Sequence, residues 1–241
     1  MSKDDSPWAS GPGEILRHGL DLLKKDTDTN RRLAMISIDN AVELTVKTFL
    51  GLPKRVTALS ISRKEFQEIS ESFPAMLDAL EKYAPDKLTG IDLGEIEWYH
   101  RLRNQLYHQG NGLTVERTKV EIYAQLANTL FENLFGVKLV QKISDATELF
   151  GEFMTAWRDL EMALNEKFPN LDSHRPVSIM ELMRTLSESG MVSKQELKDL
   201  EELRRVRNAM AHARPSPIPL TPDVILRIQA YAQRISKHNG P

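Results

Sequence analysis

The chain is 241 residues long, 41% hydrophobic and 27% charged, with a formal net charge of -2, a pI near 6.3 and no cysteine. That is enough apolar material for one large core or two small ones, while the missing thiols exclude disulfides, thiolate nucleophiles and Cys-based zinc sites. The slightly acidic balance excludes a general polyanion binder, and no apolar run approaches the roughly 20 residues of a membrane span, so a cytoplasmic protein with no membrane partner is expected.

In chain order, residues 1–12 read as a disordered leader, because Ser6-Pro7 and Gly11-Pro12 interrupt regular structure. A first helical domain is expected over 13–140. Met35, Ile38, Val42, Val46 and Phe49 form one helical stripe across 33–50, which stops at Gly51 and Pro53. A helix of variable sequence follows over 63–83, then a helix ending in Arg103-Asn104-Gln105-Leu106-Tyr107-His108, then a closing helix with Val120, Tyr123, Ala127, Leu130 and Leu134 on its apolar side. The join at 137–144 has no Pro/Gly cluster and no low complexity, which predicts two units packed together more than two beads on a tether.

The second domain, 141–236, repeats the order. Leu149, Phe153, Trp157, Leu160, Leu164 and Phe168 stripe a helix over 145–168 that ends before Pro169. A shorter helix is expected over 177–188, then one ending in Arg207-Asn208-Ala209-Met210-Ala211-His212, and Thr221-Pro222 starts a closing helix with Val224, Ile228, Tyr231 and Ile235. Residues 237–241 read as a tail. The Trp157 and Phe153 stripe is core, not a stacking platform for bases.

The two motifs lie 104 positions apart (207 minus 103), and their surroundings match at equal offsets. Leu93, Ile96, Tyr99, Leu102 and Leu106 correspond to Leu197, Leu200, Leu203, Val206 and Met210. The repeat is therefore a duplication of tandem small helical domains, longer than a solenoid unit. At about 100° per residue the apolar stripe includes Arg103 and Arg207. A guanidinium stays charged and is expensive to desolvate alone, so each requires an acidic partner or a polar cleft. Glu43 and Glu161, at comparable places on the two long helices, are the candidate partners, though edge-of-stripe carboxylates are commonplace.

RNA carries its own nucleophile, the 2′-hydroxyl, and cleavage needs a base, an acid and stabilisation of a pentacoordinate anion. Histidine supplies base or acid near neutrality, and arginine grips phosphate. His108 and His212 would supply the pair, one deprotonating the 2′-hydroxyl and the other protonating the leaving 5′-oxygen. None of the six histidines forms the close helical pair of a metalloprotease motif, so no metal and no cofactor are expected.

Arg-Asn, three residues, then His at a helix end, followed by another amphipathic helix, resembles the HEPN superfamily. That resemblance implies an all-α fold of two tandem four-to-five-helix HEPN-like bundles packed as an intramolecular pseudo-dimer. It also implies a metal-independent endoribonuclease of a defence, toxin or RNA-processing system, with Arg103, Asn104, His108, Arg207, Asn208 and His212 as a composite catalytic site. Gln109-Gly110 and Ala213-Arg214 follow the histidines where one toxin branch of the family has tyrosine two positions on, so the resemblance does not extend to that branch.

Arg101, Arg204, Arg205 and Arg214 are candidate RNA-binding residues, and His100 and Arg204 precede the motifs at one offset, three positions before each arginine. Their bland reading is a solvated helix face. His174 and Arg175 read as loop decoration, His18 and His238 as surface residues, and Trp8 has no readable role. RNA is the expected partner, with a homodimer or the intramolecular domain pair and a regulatory protein as further candidates. The competing reading is a non-catalytic module that binds RNA, a nucleotide or a protein.

Overall fold

Helix α1 (Ser10–Lys24) begins inside the expected leader. A proline in the first helical turn has no hydrogen bond to lose and its φ is already helical, so Gly11-Pro12-Gly13 opens the helix instead of preventing it. Pro12, Gly13, Leu16, Leu20 and Leu23 are buried, and this face packs on α2 (Asp28–Gly51). Thr27 starts α2 by accepting a hydrogen bond from the Asn30 N–H at 3.2 Å.

A short α3 (Lys54–Thr57) leads to a second departure from expectation. The one helix anticipated over 63–83 is two, α4 (Arg63–Ile69) and α5 (Phe73–Tyr83). Ser72 takes extended backbone and caps the Ala75 N–H at 3.3 Å, with Pro74 in the first turn. The cap and the proline together restart the chain more cheaply than a continuous helix accommodates them. A 3-10 turn (Pro85–Leu88) precedes α6 (Leu93–His108), and α7 (Arg117–Phe135) closes at Gly136, whose φ of 69° suits a glycine helix stop.

These elements belong to a unit ending at Ser144, and a second unit begins at Asp145. In the first, α2 touches α1, α5, α6 and α7, and Met35, Ile38, Val42 and Val46 lie at the centre of the core. In the second, α8 (Asp145–Lys167) packs on α9 (Ile179–Glu188), α10 (Lys194–Ala211) and α11 (Pro222–Lys237). Its core joins Phe153, Trp157 and Leu160 to Leu182, Leu200, Leu203 and Ile228. The computed structural model describes residues 7–108, 114–139, 145–168, 179–211 and 214–237; among them every regular element is helical, so the chain is all-α.

Two local devices set helix positions and are open to test. A Cβ added to Gly19 would stand 2.8 Å from Ile38 Cγ1 and 3.2 Å from the Ile38 backbone nitrogen, so α1 and α2 meet backbone to backbone. Gly19→Ala is expected to destabilise the first unit by about 1–3 kcal/mol, read by urea unfolding.

In the second unit Ser193 and Glu196 form a reciprocal capping box. The Glu196 N–H donates to Ser193 Oγ at 3.2 Å and the Ser193 N–H to Glu196 Oε2 at 2.8 Å, while Arg234 of α11 pairs with the same carboxylate. The Ser193 backbone N–H, Arg234 and the Ser193 hydroxyl hold the Glu196 carboxyl down at about 2. A depressed carboxylate stabilises the fold above its unfolded pKa of about 4.3 and loses that contribution as pH falls through its folded value. Glu196→Gln is therefore expected to be less stable than the parent at neutral pH, with the difference vanishing between about pH 4.3 and about 2 in urea titrations at stepped pH.

Candidate functional site

The buried stripe of α2 carries one acid, Asp39, with 0% exposure between the core residues Ile38 and Val42. A buried carboxylate is tolerated only when donors occupy its oxygens. Tyr123 of α7 donates its hydroxyl to Oδ1 at 2.6 Å. His100 of α6 brings Nδ1 to 3.0 Å from Oδ2, and Arg103 brings Nε to 3.3 Å from the same oxygen. Burial first, and then the Asp39 carboxylate, push the Tyr123 phenol well above its ordinary pKa, so it remains a donor at any physiological pH. Tyr123 also stacks on Tyr99 at 4.6 Å, and the His100 ring lies 4.4 Å from Phe73.

Arg103 is held from several sides. Its Nη1 donates to Asn104 Oδ1 at 2.9 Å, its Nη2 donates to Asn40 Oδ1, and its guanidinium lies 5.6 Å from the Tyr107 ring centroid. The Nε contact with Asp39 is an ion pair without hydrogen-bond alignment. His100, Arg103, Asn104 and Tyr107 follow the i, i+3, i+4, i+7 spacing of one helix face. Arg103 retains 18% exposure and Tyr107 63%, so this face passes from the buried aspartate to solvent.

Several expectations resolve differently. The acid that meets Arg103 is Asp39, one turn before the anticipated Glu43, which is half-buried. Asn104 engages the arginine through its oxygen, which leaves its amide N–H groups as the donors it offers outward. Arg101 is exposed and pairs with Glu97, as a solvated face would. The side chain of His108 and the whole of His212, His174, Arg175 and His238 lie outside the described residues. His18 is exposed, and Trp8 is 43% exposed.

In the second unit Arg207 is buried at 5% exposure, Asn208 and Arg204 are half-buried, and Arg205 and Arg214 are exposed. Glu161 is half-buried and accepts the Trp157 indole N–H at 2.6 Å. The long helices align at a separation of 118 (157 minus 39). Met35, Ile38, Asp39, Val42, Thr45 and Val46 then correspond to Phe153, Ala156, Trp157, Leu160, Ala163 and Leu164, all buried. Trp157 thus occupies the register of Asp39, and Arg204 that of His100. Acids of α10 turn instead toward α11: Asp199 accepts from the Tyr231 hydroxyl at 2.9 Å and from Arg227. Burial and that bond push the Tyr231 phenol up to about 12.

Asp39, Glu43 and His100 offer ligand atoms within 4.8 Å of one another. A divalent ion placed there would break the Asp39–His100 contact and sit against the Arg103 guanidinium, so hydrogen bonding explains these residues better than metal binding. No family model, curated protein or solved structure matches the chain.

The sequence pattern alone left Asp39, His100 and Tyr123 unconnected. The available signal was an aspartate inside an otherwise apolar stripe. Tyr123→Phe leaves Asp39 Oδ1 without its donor and is expected to lower stability by about 1–3 kcal/mol. Asp39→Ala, which removes the carboxylate met by Tyr123, His100 and the partly exposed Arg103, should lose about 2–4 kcal/mol in the same urea unfolding assay.

Proposed function

We propose that the chain is a metal-independent endoribonuclease of HEPN-like tandem organisation, whose Arg-Asn-x-x-x-His motifs act on RNA. The observation that carries this reading is the fixed Arg103. An arginine pinned by Asp39, Asn40 and Asn104 has lost its rotamer freedom before any ligand arrives. Preorganised positive charge of that kind favours a phosphorane over the ground-state phosphate, because it need not reorganise as the anion develops. Asn104 adds neutral donors beside it, and the Tyr107 ring, 63% exposed, lies next to the same guanidinium. Imidazoles of the site act as base and acid, and the products are a 2′,3′-cyclic phosphate and a 5′-hydroxyl.

The second unit favours a subsidiary reading for its own motif. Trp157 and Arg204 stand where the first unit has Asp39 and His100, so that half has more to offer in gripping a polyanion than in moving protons. A pure binding module would hold RNA saturably and leave its ends intact.

The test is cleavage of a panel of cellular RNAs with and without chelator, with end groups identified. The parent should yield cyclic phosphate ends in both conditions, and His108→Ala combined with His212→Ala should lose about 10²-fold or more in rate. An unaltered rate in the double variant, or dependence on added metal, overturns the reading.

A further inference from the structure

We propose that His100, oriented by Asp39, is the general base of the site, and that the first unit alone carries this function. The inference rests on the ribonuclease reading and assigns the base within it.

A carboxylate only accepts hydrogen bonds. The imidazole nitrogen 3.0 Å from Asp39 Oδ2 therefore carries a proton, which leaves Nε2 as the nitrogen through which the ring can act as a base. No donor meets Nε2 among the described residues, and the ring keeps 13% exposure. Asp39 is itself fixed from the opposite side by Tyr123, and Phe73 covers one face of the ring, so orientation and tautomer are set together. Asp39 is thus a positioning residue: it holds the ring and lies beside the positive charge that the ring acquires. Glu43 of α2, within ligand distance of both, adds a second carboxylate to that side.

The motif arginine is one turn further along the same face. A phosphate gripped by Arg103 brings its neighbouring 2′-hydroxyl toward the preceding turn of α6, where His100 is. The 2′-O–H bond breaks and its proton passes to Nε2 as the 2′-O–P bond forms. The P–O5′ bond breaks, and O5′ takes its proton from a motif histidine in the imidazolium form. His100 then gives its proton to water while the motif histidine regains one from water, so the site is restored, and no oxidation or reduction occurs. At the corresponding registers the second unit has Trp157 and Arg204, so no equivalent pair stands there among the described residues.

His100→Asn is the decisive variant, since an amide N–H replaces Nδ1–H toward Asp39 while no basic atom remains. Single-turnover cleavage by the full chain is expected to fall about 10²-fold or more. Affinity for an RNA with 2′-deoxyribose at the cut site should stay within about threefold, and urea unfolding should remain cooperative, with a midpoint lowered only by the lost ring contact with Phe73. Should the asparagine variant unfold, His100→Gln, whose amide reaches the Nε2 position and is likewise not basic, carries the rate comparison. A variant that folds and cleaves at the parental rate overturns the inference while leaving the ribonuclease reading standing, whereas a parent that cleaves no RNA removes both.

Discussion

The buried charge of Asp39 is the constraint from which the first unit is organised. An aspartate with no exposure must be met by donors, and those donors come from both helices that carry the motif region: His100 and Arg103 from α6, Tyr123 from α7. Each bond is modest by itself, on the order of 1 kcal/mol net, but an unmet partner is far more costly than a made bond is favourable. The three helices are therefore held in one register by an interaction that tolerates little displacement. That also accounts for an arginine on an apolar stripe, because its countercharge is already in the core.

How much of this was readable from the residues differs by kind of feature. Periodic stripes and helix stops follow from local geometry, so α2, α8 and the closing helices are visible in Met35 to Phe49, Phe153 to Leu164 and Val224 to Ile235. Proline is ambiguous locally: Pro12 and Pro74 signal either a break or a first helical turn, and only the burial of Leu16 or the cap at Ser72 decides. The requirement that Arg103 meet an acid was legible, but its identity was not. Asp39 and Glu43 sit one turn apart on α2, and which of them faces α6 depends on how the helices cross, a property of the packed core. His100 resembled a solvated residue and Tyr123 an apolar one, because a hydrogen bond between residues 61 or 84 positions apart has no local signature.

The two units space their buried positions alike but fill them differently. Their long helices keep the same buried positions, yet one frame holds a carboxylate where the other holds an indole that donates to Glu161. The motif helices likewise keep their apolar spacing, although Leu93, Leu102, Leu197 and Met210 are only half-buried. In the second unit the acids of α10 serve α11 through Asp199 and Glu196, whereas in the first unit α7 donates a buried phenol to Asp39 and pairs Arg117 with Asp26.

The close approach at Gly19 reaches further than helix packing. The atoms its missing side chain leaves room for belong to Ala34 and Ile38, and Ile38 immediately precedes the aspartate that organises the site. Helix α1 thus acts as a buttress that sets the depth at which Asp39 is presented, with Ser37 tied to the Ile15 carbonyl at 3.2 Å as a second strut. Anything that shifts α1, such as a fusion at its start or removal of its first turn, is transmitted along α2 to the guanidinium and imidazole without touching either.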